Sequence, residues 1–435
     1  MRDNRYGVCT DHGTDAHTGY GTAEISPAEI SLADLPVEHL AGAPVLSKTP
    51  LRIFEDTVCE FLFALSEALR TDPACRKYPD VQSFAFYCRR SNIMRLKEQY
   101  TGTCADPDRQ TRIGRGLAFH IAPSNIPVNF AFTYVLGLLA GNANIVRVSQ
   151  KRHRQAELIC EAMQRLLQTD PFSKVRKRTA ILRFGHDQTL TDYFSQQSDV
   201  RVIWGGDQTI CQIRKSPLPV RCVELAFADR YSFGIIDADA VLKADKAELA
   251  RLAGQFYNDT YLNDQNACST PHMICWLGST GRQRELAKKK FWDAVSVCAQ
   301  KYDLADIKVC DKYVLLCKYA VMLSCMQADI KTERYDNLLY LISLPKIPKN
   351  ITQLRGKFGL FFQTNLTDIR DLTPYINGNV QSCMYYGLDR EQILQWVTDC
   401  GLRGIDRIVE FGSSLAIGVI WDGYDLIREM SRCIG

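Results

Sequence analysis

The chain has 435 residues, a length that favours two or more domains over a single hydrophobic core. Hydrophobic residues make up 46% and charged residues 23% of the composition, which is typical of a soluble globular protein. The net charge of +4 is small for this length, and no basic run alternates with aromatic residues, so nucleic-acid binding is not indicated.

The cysteines and the apolar runs bear on location. The 17 cysteines include no Cys-x-x-Cys pair, so neither a metal site nor a redox dithiol is predicted, and free thiols favour a reducing cytoplasm. The polar N-terminus lacks the apolar core of a secretory signal. The longest apolar run, residues 126–140, contains Asn129 and is shorter than the ~20 residues that span a membrane. We therefore expect a cytoplasmic protein without a membrane span.

The predicted elements alternate over most of the chain. Residues 1–48 show no sustained period, and we expect a partly ordered leader. Helices are predicted at 51–69, 79–100, 128–140, 151–167, 187–196, 246–256, 282–301 and 424–432, and strands at 116–122, 144–148, 180–184, 200–204, 220–225, 232–236 and 273–277. Strands alternating with helices are typical of an α/β fold with a parallel sheet and a crevice at the strand ends.

One cysteine stands in a setting that favours chemistry. Cys268 follows the polar, turn-forming residues 262–266 and lies between the small residues Ala267 and Ser269. Small neighbours leave the sulfur accessible, and the polar approach predicts a loop at the edge of a cleft. Because the thiolate is the nucleophile, a reactive cysteine needs partial exposure and a lowered pKa. A small buried hydrophobe is the alternative interpretation.

Three further features belong with this cysteine. Asn125 lies between two prolines, where its amide can donate to a developing oxyanion; an ordinary turn with an unusual φ at Asn125 is the alternative. Gly205 and Gly206 follow a predicted strand and can admit a phosphate to the backbone amides. Glu224 is an acid in an apolar strand, which indicates either a function or a salt bridge to a nearby arginine, for which Arg221 and Arg230 are candidates.

In chain order these segments resemble motifs of the aldehyde dehydrogenase superfamily, and more closely its LuxC-like branch of acyl-CoA (fatty acid) reductases. Residues 121–127 resemble the Pro-Trp-Asn-Phe-Pro loop, 139–150 the Ala-Gly-Asn-Thr…Lys-Pro-Ser-Glu segment and 204–210 the glycine turn under the cofactor. Glu224 corresponds to the acid of Glu-Leu-Gly-Gly, and Cys268 to the nucleophile of Gly-Gln-x-Cys. Residues 227–233, 404–409 and 421–426 indicate the branch. The resemblance extends from about residue 112 to the C-terminus.

The resemblance implies an α/β, aldehyde dehydrogenase-like fold with a Rossmann-type cofactor domain and an α/β catalytic domain. We predict a leader at 1–48, N-terminal helices with the NAD(P)-binding domain at 49–255, a catalytic domain carrying the nucleophile at 256–420 and a C-terminal helix at 421–435. The implied cofactor-binding residues are Arg147, Ser149, Gln150, Lys151, Gly205 and Gly206.

Departures from the family pattern bear on the cofactor. Arg147 replaces a Lys that holds the adenosine ribose, and Gln150 replaces a Glu that accepts the ribose hydroxyls and repels a 2′-phosphate. Residues 151–154 add three cations, so NADPH is the expected cofactor; a solvated basic helix face is the alternative. The acid of Glu-x-Phe-Gly-Pro, which binds the nicotinamide ribose, is absent from residues 356–360.

The implied reaction is reduction of an acyl thioester, on CoA or a protein, to an aldehyde. Cys268 attacks the carbonyl, while Asn125 and the Cys268 N–H hold the oxyanion. Glu224 would serve as a base in the alternative, oxidation of an aldehyde to an acid; a non-enzymatic acyl- or cofactor-binding protein is a third interpretation. His272 is interpreted as a proton donor or an ordinary surface histidine. An acyl-protein synthetase (LuxE-like) partner and a homo-oligomer are also expected.

Overall fold

A computed structural model describes residues 28–102, 111–326 and 330–435. In chain order its helices are α1 (Asp56–Thr71), α2 (Pro73–Arg76), α3 (Pro79–Tyr87), α4 (Arg90–Thr101), α5 (Asn129–Leu139), α6 (Arg154–Leu167), α7 (Ser173–Arg176), α8 (Gln188–Gln197), α9 (Asp207–Ile213), α10 (Ala238–Lys243), α11 (Lys246–Thr260), α12 (Gly281–Ala299), α13 (Asp306–Ser324), α14 (Arg390–Asp399) and α15 (Leu426–Glu429).

The strands, in the same order, are β1 (Glu29–Ser31), β2 (Glu38–Gly42), β3 (Val45–Ser47), β4 (Thr111–Gly114), β5 (Leu117–Ile121), β6 (Ala143–Val148), β7 (Thr179–Arg183), β8 (Val200–Trp204), β9 (Val223–Phe227), β10 (Tyr231–Asp237), β11 (Pro271–Leu277), β12 (Lys331–Tyr335), β13 (Leu339–Leu344), β14 (Leu360–Asn365), β15 (Val380–Tyr386), β16 (Arg407–Glu410), β17 (Ile420–Trp421), β18 (Tyr424–Asp425) and β19 (Ser431–Ile434).

The first of two large sheets has the strand order β2-β7-β6-β5-β8-β9. Strands β5 to β9 run parallel, and β2 is antiparallel at the edge. Strands β5, β6 and β7 are buried at every position, as expected of a parallel sheet covered on both faces. The chain passes from β5 through β6 to β7 on one side and then returns to β8 on the other. This reversal creates a crevice at the carboxyl ends of β5 and β8, where ligands bind in open α/β sheets.

The second sheet has the order β12-β13-β14-β11-β10-β15-β16 and is parallel except for β12 at its edge. The chain changes from the first sheet to the second between Phe227 and Tyr231. We call the parts built on these sheets the first and the second unit. The loop that contains Cys268 connects α11 to β11 and therefore lies at the amino ends of the strands of the second sheet.

Helix α5 is the most deeply buried helix of the first unit. All of its residues are buried, in a core shared with α1 and α6, because it is apolar on every side. It ends before Gly141, whose φ of 87° and closeness to the Leu51 carbonyl exclude a side chain. Across the described ranges, no helix combines the length and the apolar character that crossing a membrane would require.

Several predicted boundaries differ from the structure. Of the predicted leader, residues 28–48 are described; they contain β2, which is ordered because it pairs with β7, and residues 1–27 lie outside the described part. The predicted domain boundary at residue 255 falls inside α11 rather than between the sheets. The predicted C-terminal helix is wrong beyond α15, because β19 pairs with β4 and returns the chain end to the first unit.

Candidate active site

Side-chain hydrogen bonds hold the Cys268 loop against strands β10 and β14 of the second unit. Asp264 and Gln265 adopt left-handed φ values of 57° and 58°, which turn the chain sharply after α11. The Gln265 side chain accepts from the Gly359 N–H at 2.6 Å and donates to the first carbonyl of β14 at 3.1 Å. The Ser232 hydroxyl, on β10, donates to the Cys268 carbonyl at 2.7 Å. Strands β10 and β14 therefore hold the backbone that carries the sulfur.

Cys268 itself is half-buried. Burial raises the pKa of its thiol to about 11, and the negative charge of Asp422 contributes in the same direction. A hydrogen bond from Gln381 and the positive charge of Arg407 lower this pKa. The resting side chain is therefore a protonated thiol at neutral pH. Burial and Asp422 favour the thiol, whereas Gln381 and Arg407 favour the thiolate.

Gln381 and Asp422 form a buried pair beside the thiol that sequence reasoning missed as site residues. The Gln381 amide on β15 donates one N–H to Asp422 Oδ1, and a primary amide has a second N–H for the sulfur. Asp422 has a left-handed φ of 48°. Gln381 Oε1 and Asp422 Oδ2 are buried without a partner among the described residues. Because buried polar atoms are normally paired, these two atoms point to a water or ligand next to Cys268.

Arg407 contributes a positive charge to the surroundings of Cys268. Its guanidinium lies 4.5 Å from the Trp421 ring centroid and donates to the Ser414 carbonyl at 2.9 Å and the Ala416 carbonyl at 3.0 Å. The segments 404–409 and 421–426, which resemblance alone associated with the branch, thus supply Arg407 and Asp422 to the surroundings of Cys268. The only advance signal for these residues was their place in that pattern.

Asn125 reaches the Cys268 loop from the first unit. Asn125 lies on the loop that follows β5, and its side-chain amide donates to the Asn266 carbonyl at 3.4 Å. Asn125 is not among the described residues with positive φ, so the alternative of a turn with an unusual φ is not observed. The backbone N–H of Cys268 has no acceptor within the described ranges. The Asn125 amide and the Cys268 N–H therefore both lie at the Cys268 loop, one from each unit, and can donate to a carbonyl oxygen at the thiol.

Glu224 is bound by two arginines of the first unit. Its Oε2 accepts from Arg201 Nε at 2.9 Å, and its Oε1 accepts from Arg214 Nε at 2.7 Å. The suggested partners Arg221 and Arg230 are therefore not the ones observed. Burial raises the pKa of the Glu224 carboxyl, but the hydrogen bonds from Arg214 and Arg201 outweigh it and hold the pKa below its ordinary value. The acid is ionised and engaged in an ion pair.

His272 is not a surface residue. The residue is 3% exposed, and its ring stacks on Tyr231 at a centroid distance of 5.5 Å. Burial lowers the pKa of His272 to about 3, so the ring is neutral at neutral pH. The predicted surface histidine is thus wrong, and an imidazolium proton donor is not available at this position.

The predicted cofactor residues border the crevice of the first sheet. Arg147 is buried at the carboxyl end of β6 and donates Nε to the Phe184 carbonyl at 3.2 Å. Ser149 Oγ accepts from the Lys151 N–H at 3.1 Å. The Gln150 amide packs against Gly185, where a Cβ would lie 2.9 Å from Gln150 Nε2.

The three cations in residues 151–154 differ in their position and in their ionic partners. Helix α6 begins at Arg154, so Lys151 and Arg152 lie in the preceding loop rather than on the predicted helix. Arg152 forms an ion pair with Glu38 at 3.3 Å, and Arg154 forms one with Glu161 at 2.8 Å. The Lys151 ammonium has no acidic partner in the described parts of the chain and lines a cleft with Ser149, His153 and Arg183.

Gly205 and Gly206 stand at the carboxyl end of β8, which is paired with β5. The Gly205 N–H donates to the Phe227 carbonyl at 3.1 Å. A Cβ added at Gly206 would meet no atom within 4 Å, so the turn is open where a ligand would approach. Both this turn and the Asn125 loop therefore open onto the same crevice.

Comparisons with known proteins agree with this architecture. Long-chain acyl-protein thioester reductases of Photorhabdus luminescens and Vibrio harveyi are each 22% identical to the chain over 326 residues, covering 74% of this chain and 63% of each relative. The chain thus spans about 63% of the length of these curated relatives.

Solved structures show the fold. A 1-pyrroline-5-carboxylate dehydrogenase aligns with a TM-score of 0.58 at 12% identity, covering 87% of this chain and 80% of that protein. An NAD-dependent benzaldehyde dehydrogenase from Corynebacterium glutamicum aligns with a TM-score of 0.56 at 11% identity, covering 86% and 84%. The predicted aldehyde dehydrogenase-like α/β fold is confirmed. A family model described as acyl-CoA reductase (LuxC) matches residues 101–433, and the chain belongs to that family.

Proposed function

We propose that the chain reduces an acyl thioester to an aldehyde through an acyl-enzyme on Cys268. The observation that carries this proposal is a half-buried thiol whose loop has an unpaired N–H at Cys268 and is contacted by the Asn125 amide. Membership of an acyl-CoA reductase family supports the reaction class. The names of the relatives, acyl-protein thioester reductases, support a thioester substrate.

In the first half of the reaction one thioester replaces another. The Cys268 sulfur bonds to the acyl carbon, the bond from that carbon to the carrier sulfur breaks, and the thiol proton goes to the departing carrier. The Gln381 N–H favours the thiolate form of Cys268, and Asp422 orients that amide through its hydrogen bond. The Asn125 amide and the Cys268 N–H stabilise the negative charge that develops on the carbonyl oxygen.

In the second half the acyl group is reduced. A bound nicotinamide would supply the hydride to the acyl carbon. The oxygen then re-forms the carbonyl as the bond from that carbon to the Cys268 sulfur breaks, and one proton from solvent goes to the sulfur, which releases the aldehyde and restores the thiol. The same two N–H donors serve this addition, because the negative charge develops on the same oxygen. Attachment to Cys268 keeps the carbonyl in place throughout, which lowers the entropic barrier.

The cofactor proposed for the crevice between β5 and β8 is NADPH. The open space at Gly206 fits a pyrophosphate close to the backbone, while Arg147 and Ser149 lie at the end of the neighbouring strand β6. Lys151 is the cation left for a 2′-phosphate, since Arg152 is engaged by Glu38. Gln150 lacks the charge that would repel this phosphate.

The alternative oxidation of an aldehyde to an acid needs a base that activates water. Glu224, which corresponds to that base in the resemblance, is held between Arg201 and Arg214. An acid fixed as an ion pair by two cations is a poor proton acceptor, because both cations lower its pKa. This observation favours reduction over oxidation. The ordered thiol with two available donors likewise favours an enzyme over a non-enzymatic acyl-binding protein.

The names of the relatives support a proposal for the substrate, and the free thiols support one for the cellular location. We propose a long-chain acyl group carried by CoA or a protein, and an acyl-protein synthetase as the protein that supplies it. All 15 cysteines in the described ranges are free, which fits a reducing cytoplasm.

The test is a product analysis in both directions. The purified chain is incubated with NADPH and a short-chain or long-chain acyl-CoA, and aldehyde, free CoA and NADP are quantified by mass spectrometry. The proposal predicts equal amounts of the three products. The same chain is then given an aldehyde with NADP. Formation of free carboxylic acid without any thioester reduction would contradict the proposal and favour the oxidative alternative.

A further inference from the structure

Helix α13 carries apolar side chains on two opposite faces. One face is packed into the second unit through Leu316, Tyr319 and Leu323. On the other face Ile307 is 67% exposed, Val314 67% and Val321 68%.

The outward residues form a regular stripe. Cys310 and Cys317, both exposed, lie between the three aliphatic residues, so that apolar positions alternate at intervals of three and four residues. This spacing follows one line along a helix and is the repeat by which two helices pack together. An outward helix face is normally polar, and a contiguous apolar stripe marks an interaction surface. Nothing within the described ranges covers it.

We propose that this stripe joins two copies of the chain, with α13 of one copy packed antiparallel against α13 of the other. The flanking charges support this choice of partner and direction. Asp311 and Lys318 are exposed, lie on the same side of the stripe and are seven residues apart. In an antiparallel pair this side faces itself, so Asp311 meets Lys318 of the second copy twice by symmetry. A parallel pair would instead bring Asp311 towards Asp306 of the second copy.

The same register pairs the apolar positions. Val314 lies opposite Cys317 of the second copy, and Cys310 lies opposite Val321, each pair occurring twice about the twofold axis. The 19 residues of α13 give a helix of about 28 Å. One helix face of this length is smaller than the standard interface of ~800 Å² per partner, so we expect a dimer that dissociates on dilution.

The test measures molecular mass against concentration by analytical ultracentrifugation of the full chain in excess reductant. The wild type is expected to pass from the mass of one chain to that of two as its concentration rises, and Val314→Glu is expected to weaken association at least 10-fold. Val297→Glu is the matched control, because Val297 on α12 is 73% exposed but lies outside the stripe. It should associate like the wild type.

A charge exchange tests the partner and the direction. Asp311→Lys and Lys318→Asp should each weaken association, and the double variant should restore it. A wild type that keeps the mass of one chain at every concentration would overturn the proposal. Association that requires removal of the reductant, that survives Val314→Glu, or that the double exchange fails to restore would also overturn it.

Discussion

Replacing Glu224 by Gln separates a structural role of this acid from a catalytic one. The Arg201 side chain is 1% exposed and donates Nε and Nη2 to Glu224 Oε2. Its Nη1 donates to the Ser195 hydroxyl at 3.0 Å and to two backbone carbonyls. Gln at 224 keeps an acceptor for Arg201 but removes the charge, so the guanidinium stays buried without a counter-charge.

The size of the effect follows from burial. Breaking a buried ion pair costs ~3–5 kcal/mol, and we take the lower end because Gln retains a hydrogen bond. For a unit of ~150–250 residues, 1 kcal/mol corresponds to ~2–4 °C, so the apparent Tm of Glu224→Gln should fall by ~6–12 °C. Glu161→Gln is the control. The Glu161 side chain is 53% exposed and its partner Arg154 is 49% exposed, so solvent screens this pair and its loss should change the Tm little.

The pH dependence of stability gives a second test of the Glu224 ion pair. Because the folded-state pKa of Glu224 is lowered, its stabilisation is present above the ordinary value and is lost as pH falls through the folded value. The Tm difference between wild type and Glu224→Gln should therefore shrink in acid. At a temperature where both are folded, thioester reduction should be unchanged within about threefold, a factor equivalent to ~0.7 kcal/mol. An unchanged Tm with a loss of reduction above ~100-fold would refute this reasoning and make Glu224 catalytic.

Three further predictions concern the proposed site. Asn125→Ala should lower kcat by ~10²–10³ with little change in KM, because its amide acts only as charge develops; steady-state kinetics check this, and a change confined to KM would contradict it. Gln381→Leu should raise the pKa of Cys268 above about 11, and Asp422→Asn should lower it, since the first loses a hydrogen bond to sulfur and the second a nearby negative charge. The pH dependence of alkylation at the Cys268 peptide measures both, and shifts in the same direction would contradict the arrangement. NADPH should be preferred over NADH roughly 10-fold, and Gln150→Glu should reduce that ratio by repelling the 2′-phosphate; equal kcat/KM values in the wild type or an unchanged ratio in the variant would disprove it.

The elements that sequence reasoning placed well are those with a local cause. Strands β5 to β8 were predicted to within a residue or two at most ends, because strands buried on both faces are nearly continuous apolar runs. The C-terminal segment was predicted as a helix from local pattern. Its pairing with β4, far away in the chain, overrides that preference and cannot be read from residues 424–432 alone.

The same distinction holds at the candidate site. Cys268 and Asn125 were identified because each lies in a local motif, and the structure brings the Asn125 side chain into contact with the Cys268 loop. Gln381 has no local motif; it lies at this loop because β15 pairs with β10. Glu224 and Arg201 are partners because β8 and β9 place them in register, a relation that sequence distance conceals.

Acylation of Cys268 is the most direct test of the central claim. The chain is incubated with a long-chain acyl-CoA without nicotinamide, and its intact mass and peptide masses are determined. We predict one acyl group, on the peptide that contains Cys268, and none in Cys268→Ala. Cys211→Ala, which removes an exposed thiol elsewhere, should acylate normally. An acyl group on another cysteine, or aldehyde formation by Cys268→Ala when NADPH is added, would contradict the account.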